Sequence, residues 1–230
     1  MSRVGIITGL LVESKALHRA ENRLPSYETP LLCAVAGDAA RAYAQACAMA
    51  DRGVSGLVSF GMAGGLDPAL QPGDLIIAES VMDASGKSSN TDSDWRETCK
   101  SSINTARSGV IFGADRALCS IADKQAAFST HHACAVDMES HAVARAARDR
   151  NLPFLIVRAI ADTAATALPK AAHNAIGPNG ERRALSVMAG LLRRPYELPA
   201  ILRLAQESGA AMKTLNQIAP ALLKTTPGGV

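Results

Sequence analysis

At 230 residues, 48% of them apolar, the chain is long enough to bury a full-sized core as one domain and too short for two large independent ones. Aromatic residues are only 3% and the formal charge is +3 with its basic side chains scattered, so neither an aromatic-rich binding surface nor a nucleic-acid partner is implied. The cysteines, Cys33, Cys47, Cys99, Cys119 and Cys134, form no CxxC pair and are odd in number, which argues against a disulfide framework or a zinc knuckle and fits a reducing cytoplasm.

Val4 to Gly9 is an apolar run ending in Gly, entered from Met1 with neither a basic leader nor a cleavage site, so a buried first strand and no secretion signal are expected. Leu31 to Ala36, Val54 to Phe60 and Leu75 to Val81 repeat that style and read as further buried strands. Between the second and third, Ala39 to Arg52 is an Ala-rich helical segment opened by Asp38, whose carboxylate suits an N-cap. Such alternation predicts an α/β fold, a single domain with a mixed, largely parallel central sheet covered by helices. Residues 84–107 are rich in Ser, Asp, Asn and Thr, with Trp95 in polar surroundings, and read as a long surface loop of the kind that serves as a substrate lid. The alternation then resumes: a strand at Gly109 to Gly113, a helix at Ile121 to Phe128, a strand at Ala133 to Val136, a helix at Met138 to Arg150, and a strand at Phe154 to Ile160.

Ala164 to Gly180, with Pro169 and Pro178, reads as a loop. Ala184 to Arg194 and Glu197 to Lys224 read as helices split by Pro195 and Pro199, their apolar positions at helical spacing. The expected division is a domain over 1–180 and a C-terminal helical extension over 181–224 packed on or beside it, ending in a disordered tail from Thr225 to Val230. No apolar stretch is long enough to span a bilayer.

Four places join a strand end to polar or small residues, and the carboxyl ends of parallel strands are where sites assemble. Thr8-Gly9-Leu10-Leu11-Val12-Glu13 leads from a strand to a carboxylate that is equally suited to a helix first turn. In Phe60-Gly61-Met62-Ala63-Gly64-Gly65-Leu66, small residues let backbone amides approach an anion or a sugar, although a tight turn explains them as well. Val136-Asp137-Met138-Glu139-Ser140-His141 bunches two carboxylates and a histidine where a strand becomes a helix; Asp137 suits a cap, and His141 a structural role. Arg158-Ala159-Ile160-Ala161-Asp162 sets a cation and a carboxylate at the end of an apolar strand, where charges need partners or a function.

Taken in order, these segments resemble the nucleoside phosphorylase family. Gly5-Ile6-Ile7 with Glu13, Met62-Ala63-Gly64-Gly65-Leu66 with Gly73-Asp74, Met138-Glu139, and Arg158-Ala159-Ile160-Ala161-Asp162 are similar to the methylthioadenosine/S-adenosylhomocysteine nucleosidases over roughly residues 4 to 165. Asp137 to Arg145, with Leu191-Leu192-Arg193-Arg194-Pro195 and Leu198-Pro199, resembles a narrower group, the hopanoid-associated phosphorylases, which are linked to removing adenine from adenosylhopane.

The resemblance implies an enzyme that cleaves the N-glycosidic bond of an adenosyl substrate, adenosylhopane first among them, and releases adenine. Such cleavage builds positive charge on the ribose and negative charge on the leaving base. By resemblance Asp162 passes a proton to the base, Glu139 holds the ribose hydroxyls, Met138 packs on the sugar, and Glu13 orients or deprotonates a water near Arg158. Met62, Ala63 and Gly64 would line the substrate pocket. This chain departs from the nucleosidases in carrying Met62 where they have a Ser, and in showing no aromatic from Gly113 to Arg116 to stack on the base.

No metal or redox cofactor is implied; inorganic phosphate is the one co-substrate in view, and the choice between phosphate and water stays open, since Arg158 and the glycines suit phosphate whereas Glu13 favours water. The alternatives are a methylthioadenosine/S-adenosylhomocysteine nucleosidase and a non-catalytic nucleoside-binding protein. A cytoplasmic homo-oligomer, dimeric or larger, is implied by resemblance. Peripheral contact with the inner membrane through Leu191, Leu192, Leu198, Ile201 and Leu202, with Arg193, Arg194 and Arg203 facing anionic headgroups, competes with ordinary packing of the same helices.

Overall fold

The apolar runs become strands, and nine described strands in all hydrogen-bond into one mixed sheet in the computed structural model of the chain. The structure describes residues 3–21, 29–170, 181, 188–189 and 192–228. In chain order the elements are β1 (Val4–Thr8), α1 (Leu11–Glu21), β2 (Leu31–Ala34), α2 (Ala39–Asp51), β3 (Gly56–Gly65), β4 (Leu75–Ile77), β5 (Ser80–Asp83), β6 (Ser88–Asn90), α3 (Ser93–Ser102), β7 (Val110–Gly113), α4 (Ile121–His131), β8 (Ala135–Asp137), α5 (Ser140–Asp149), β9 (Phe154–Asp162), a 3-10 turn (Pro195–Glu197) and α6 (Leu198–Leu222).

One path through the sheet runs β2-β1-β3-β8-β7-β5-β6, and β9 lies beside β3 with β4 on its other edge. Pairing is parallel except at β3/β8, β4/β9 and β5/β6. β3 is the hinge of this arrangement. Its first half pairs with β1, its pairing with β9 runs from Leu57 to Gly64 with a register slip between Ala63 and Gly64, and Gly64 and Gly65 also pair with β8. The ends of β3, β8 and β9 therefore meet, and the site forms there.

Both faces of the sheet are covered at its centre, which is why β1 and β9 read as nearly unbroken apolar runs. Ile6 and Ile7 are neighbours in β1 and point to opposite faces, and both are fully buried. Ile7 packs with Ala42, Ala46 and Met49 of α2 and Val143, Ala146 and Ala147 of α5. Ile6 packs with Leu17 of α1, Trp95 and Cys99 of α3, and Leu215, Ile218 and Leu222 of α6. Asp38 caps α2 as expected, accepting from the Arg41 amide at 3.0 Å.

The structure corrects several expectations. Residues 84–107 are not a loop: they hold β6 and α3, and Trp95 is 1% exposed. Asp92 accepts from the Trp95 amide at 2.8 Å and so starts α3 with a side-chain cap, while Trp95 and Cys99, one turn apart, bury its single apolar edge. The segment at Met62 to Gly65 is strand rather than turn, and Leu75 to Val81 divides into β4 and part of β5.

The stretch after β1 is the helix α1, and Glu13 stands in its first turn, a place its position suited. Pro199 does not split a helix, because it falls in the first turn of α6, where no amide partner is lost. The tail is packed as far as it is described: Thr225 is buried and its hydroxyl accepts from Trp95 Nε1 at 3.1 Å. Most of the helix expected at Ala184 to Arg194, and the second half of the loop expected to end at Gly180, lie outside the described residues. Among the described residues, no helix is long and apolar enough to cross a membrane.

Candidate active site

Glu13, Met62, Ala63, Gly64, Met138, Glu139, Arg158 and Asp162, the residues given a catalytic or substrate-binding role from the sequence, line one cavity of about 430 Å³ at the meeting of β3, β8 and β9. The four charged members are all buried, at 1% to 7% exposure. Buried charges of this density are retained only where partners or chemistry hold them.

One end of the cavity is organised by Arg158 of β9. Its Nε donates to Asp137 Oδ2 at 2.6 Å, and its Nη2 donates to Ser59 Oγ at 2.6 Å, Ser140 Oγ at 3.1 Å and Glu139 Oε2 at 3.3 Å. Nη1 is buried and takes no partner among the described residues. Asp137 does two jobs: Oδ1 accepts from the amides of Glu139 and Ser140 at the start of α5, as its position suggested, and Oδ2 takes Arg158 and the Ser140 hydroxyl. Glu139 is thereby relieved of capping and makes no side-chain cap bond, so its carboxylate is free to face the cavity.

Glu13 reaches the same end from α1. Its Oε2 accepts from the Leu10 amide at 2.8 Å, closing its own helix turn, and its Oε1 accepts from the Met62 amide of β3 at 2.8 Å. The structural role open to it, and its place in the cavity, therefore coexist. The Met62 amide, which small neighbours seemed to free for an anion, is already taken. Two glycines make room for this cluster. A Cβ on Gly61 would stand 2.7 Å from both Arg158 Nη1 and Glu13 Oε2, and one on Gly9 would stand 2.8 Å from Glu139 Oε1.

Three carboxylates around one guanidinium leave an excess of negative charge. Burial, helped by the charges of Asp137 and Glu13 and opposed by Arg158, pushes Glu139 up to about 7. Burial also raises Glu13, against the Met62 amide and the Arg158 charge. Burial disfavours the charged form of Arg158 too, but Asp137, Glu139 and Glu13 outweigh it, and the guanidinium stays ionised.

At the other end stands Asp162, the last residue of β9. Lys124 of α4, 1% exposed, donates to Asp162 Oδ2 and also to the carbonyls of Thr163 at 2.8 Å and Thr166 at 3.0 Å. Burial raises Asp162, and the Lys124 ammonium opposes it. Lys124 was not anticipated, since a lysine in a polar helix reads as a solvated one. The wall between the two ends is apolar, with Leu10, Leu118, Val136 and Leu168, and among the described residues no aromatic ring lines the cavity. His141, expected to be structural, lies outside it beside Asp115 at 3.6 Å.

The chain is similar to several known proteins. A stretch of 130 residues is 32% identical to the 5'-methylthioadenosine/S-adenosylhomocysteine nucleosidase of Staphylococcus saprophyticus, covering 47% of this chain and 57% of that protein's length. In fold it is similar to the methylthioadenosine/S-adenosylhomocysteine nucleosidase of Colwellia psychrerythraea solved with adenine, with a TM-score of 0.71 at 18% identity over 100% of this chain and 97% of that one. The futalosine hydrolase of Helicobacter pylori aligns with a TM-score of 0.67 at 18% identity over 94% and 97%. The sequence profile of the Phosphorylase superfamily matches residues 27–194, a stretch that carries β3, β8 and β9 and every charged residue of the cavity except Glu13, and the chain belongs to that family.

Proposed function

We propose that the chain cleaves the N-glycosidic bond of an adenosyl nucleoside, with water as the attacking group. The observation that carries this reading is the gathering of Glu13, Glu139 and Asp162, from three separate elements, around one cavity. As the bond to the base stretches, the ribose becomes cationic and the purine takes the electron pair. Glu139 accepts hydrogen bonds from the ribose hydroxyls and sets negative charge beside the developing cation. Met138 walls the sugar with a polarizable side chain that Gly37 admits, a Cβ there standing 3.4 Å from Met138 Cε. Asp162 delivers a proton to the imidazole-ring nitrogen of the leaving base, help of a kind worth roughly 10²–10⁴-fold. Glu13 draws the proton from the water that attacks the sugar carbon.

Water is favoured over phosphate by electrostatics. Arg158 is the cation nearest the sugar end, and Asp137, Glu139 and Glu13 already surround it, so a phosphate dianion would meet a net negative wall. Ser59 and Ser140 also occupy donors that a phosphate would need.

Two substrates are in view. Adenosylhopane follows from the resemblance of Asp137 to Arg145 and of the Leu191 to Pro199 stretch; the apolar wall of Leu10, Met62, Leu118 and Leu168 supports it. So do the exposed Leu192, Tyr196, Leu198 and Leu202 near Arg193 and Arg194, which suit peripheral contact with an anionic membrane in the cytoplasm. Methylthioadenosine or S-adenosylhomocysteine is supported by the Staphylococcus relative. The protein acting as a homodimer belongs to the same reading.

The test is release of free adenine from adenosylhopane and from methylthioadenosine, each with and without phosphate. Adenine and a free sugar, at rates indifferent to phosphate, are expected. A sugar phosphate product would overturn water as the attacking group, and no adenine from either substrate would overturn the activity itself. Co-sedimentation with anionic liposomes, by the full chain and by a form ending at residue 190, checks the membrane contact.

A further inference from the structure

Lys124 sits on a helix that otherwise shows its charge to solvent. Asp123 beside it is exposed, and the buried face of α4 consists of Lys124 and Ala127. A lysine placed there by chance would extend its ammonium to water along the helix surface. Here the ammonium is turned inward and meets three acceptors, one carboxylate and two carbonyls, which satisfies all of its protons. Stability does not call for this arrangement, since a buried ion pair replaced by apolar residues of similar volume often leaves a protein as stable or more so. The partner chosen is the side chain placed at the base end of the cavity.

We infer that Lys124 is a positioning residue for proton delivery to the leaving base: it fixes Asp162 through Oδ2 and stabilises the carboxylate left behind when the proton has gone. The inference rests on the role proposed for Asp162. Oδ2 is engaged by Lys124, whereas Oδ1 takes no hydrogen bond from a described residue and is the oxygen available to the substrate. In the acid form the proton sits on Oδ1. The bond from the base nitrogen to the sugar carbon breaks, its electron pair goes to the purine, and the Oδ1 proton moves to the imidazole-ring nitrogen. Asp162 is left anionic against an ammonium that was there beforehand, so no charge needs to be reorganised. The attacking water bonds its oxygen to the sugar carbon and gives one proton to Glu13; before the next turnover Glu13 releases that proton to solvent and Asp162 takes one up.

The couple also sets the pH at which the acid is lost. The other charged groups nearby are Glu207 of α6, whose Oε2 takes the Thr166 hydroxyl at 3.3 Å and whose Oε1 takes Arg203 at 2.7 Å, and the Arg158, Asp137, Glu139 and Glu13 cluster across the cavity. All of them remain when Lys124 is changed. Lys124→Met keeps the length and removes the charge, so Asp162 should hold its proton to higher pH and part with it less readily.

The experiment compares the wild type, Lys124→Met, Lys124→Arg, Asp162→Asn and the Lys124→Met/Asp162→Asn pair. For Lys124→Met the alkaline limb of the kcat profile is expected to move up by about one pH unit or more, with kcat about tenfold lower and KM little changed. Lys124→Arg should restore the limb, and in the Asp162→Asn background Lys124→Met should cost nothing further. The Asp162 carboxyl, followed by ¹³C NMR in the substrate-free protein, should titrate at higher pH in Lys124→Met, a readout that needs no turnover. Should Lys124→Met fail to fold, Lys124→Gln keeps a donor to the Thr163 and Thr166 carbonyls and removes the charge alone.

An unmoved limb and an unmoved carboxyl titration, with Asp162→Asn slow, would overturn the inference and leave the proposed function standing. A Lys124→Met loss that persists in the Asp162→Asn background would reduce Lys124 to a structural part. Wild-type turnover in Asp162→Asn would instead overturn the role of Asp162.

Discussion

The two ends of the cavity solve the problem of buried charge in opposite ways. Around Arg158, three carboxylates share one guanidinium, and the excess is absorbed by pushing Glu139 up to about 7. Around Asp162, one carboxylate meets one ammonium, and the pair is balanced. The contrast follows from what each end has to do under the proposed mechanism. A developing sugar cation is met by surplus negative charge, while a proton donor must be able to become an anion and return. Surplus charge is expensive to bury and makes the sugar end the more sensitive to pH.

The sharpest way to break this contrast is at the balanced end. Asp162→Asn should lower kcat by roughly 10²–10⁴-fold with KM little changed, because the interaction it removes is made in the transition state. Steady-state kinetics with an adenosyl substrate checks it. At the surplus end, Arg158→Met removes the cation and leaves Asp137, Glu139 and Glu13 facing one another, which should cost about 3–5 kcal/mol of stability in denaturant unfolding.

Glu139 then sharpens the comparison through pH. Its pKa is raised from 4.5 to about 7 by burial, so the folded chain binds more protons than the unfolded one between those values. The stability associated with the protonated form is present below pH 4.5 and is lost as pH rises towards 7, by an amount on the order of 3 kcal/mol. Glu139→Gln should flatten that decline in a thermal-unfolding series across pH, and should also abolish the rise in kcat/KM with pH through 7 that a hydroxyl-binding carboxylate requires. Away from both ends, Thr225→Val removes the acceptor of the Trp95 indole and should cost about 1 kcal/mol with kcat unaltered.

How far these features were legible in the sequence depended on whether a residue's job is local. Asp38 and Asp137 sit where a helix begins, so their capping could be read from position, and the apolar runs of β1 and β9 could be read because both faces of the sheet are buried there. The site acids were visible because charge at the end of an apolar strand needs a reason. α3 was missed because its apolar content is Trp95 and Cys99 alone, and what buries them, α6 and the tail, comes more than a hundred residues later. Lys124 was missed for the same cause. Nothing in its own helix says that Asp162 will be there, and only the fold brings the two together.

The place of β9 in the sheet has a consequence for how the chain is made. It lies between β3 and β4, yet it is the last of the described strands to be synthesised, and α6, which packs against it, follows later still. As residues emerge in order, β3 and β4 must wait with an unfilled gap, and the large sequence separation makes closing it a slow event. A nascent chain halted before Phe154 would lack Arg158 and Asp162 together, and with them both ends of the cavity. The molecule can hold no half-built site: binding competence should arise in one step, at the moment the central strand is inserted.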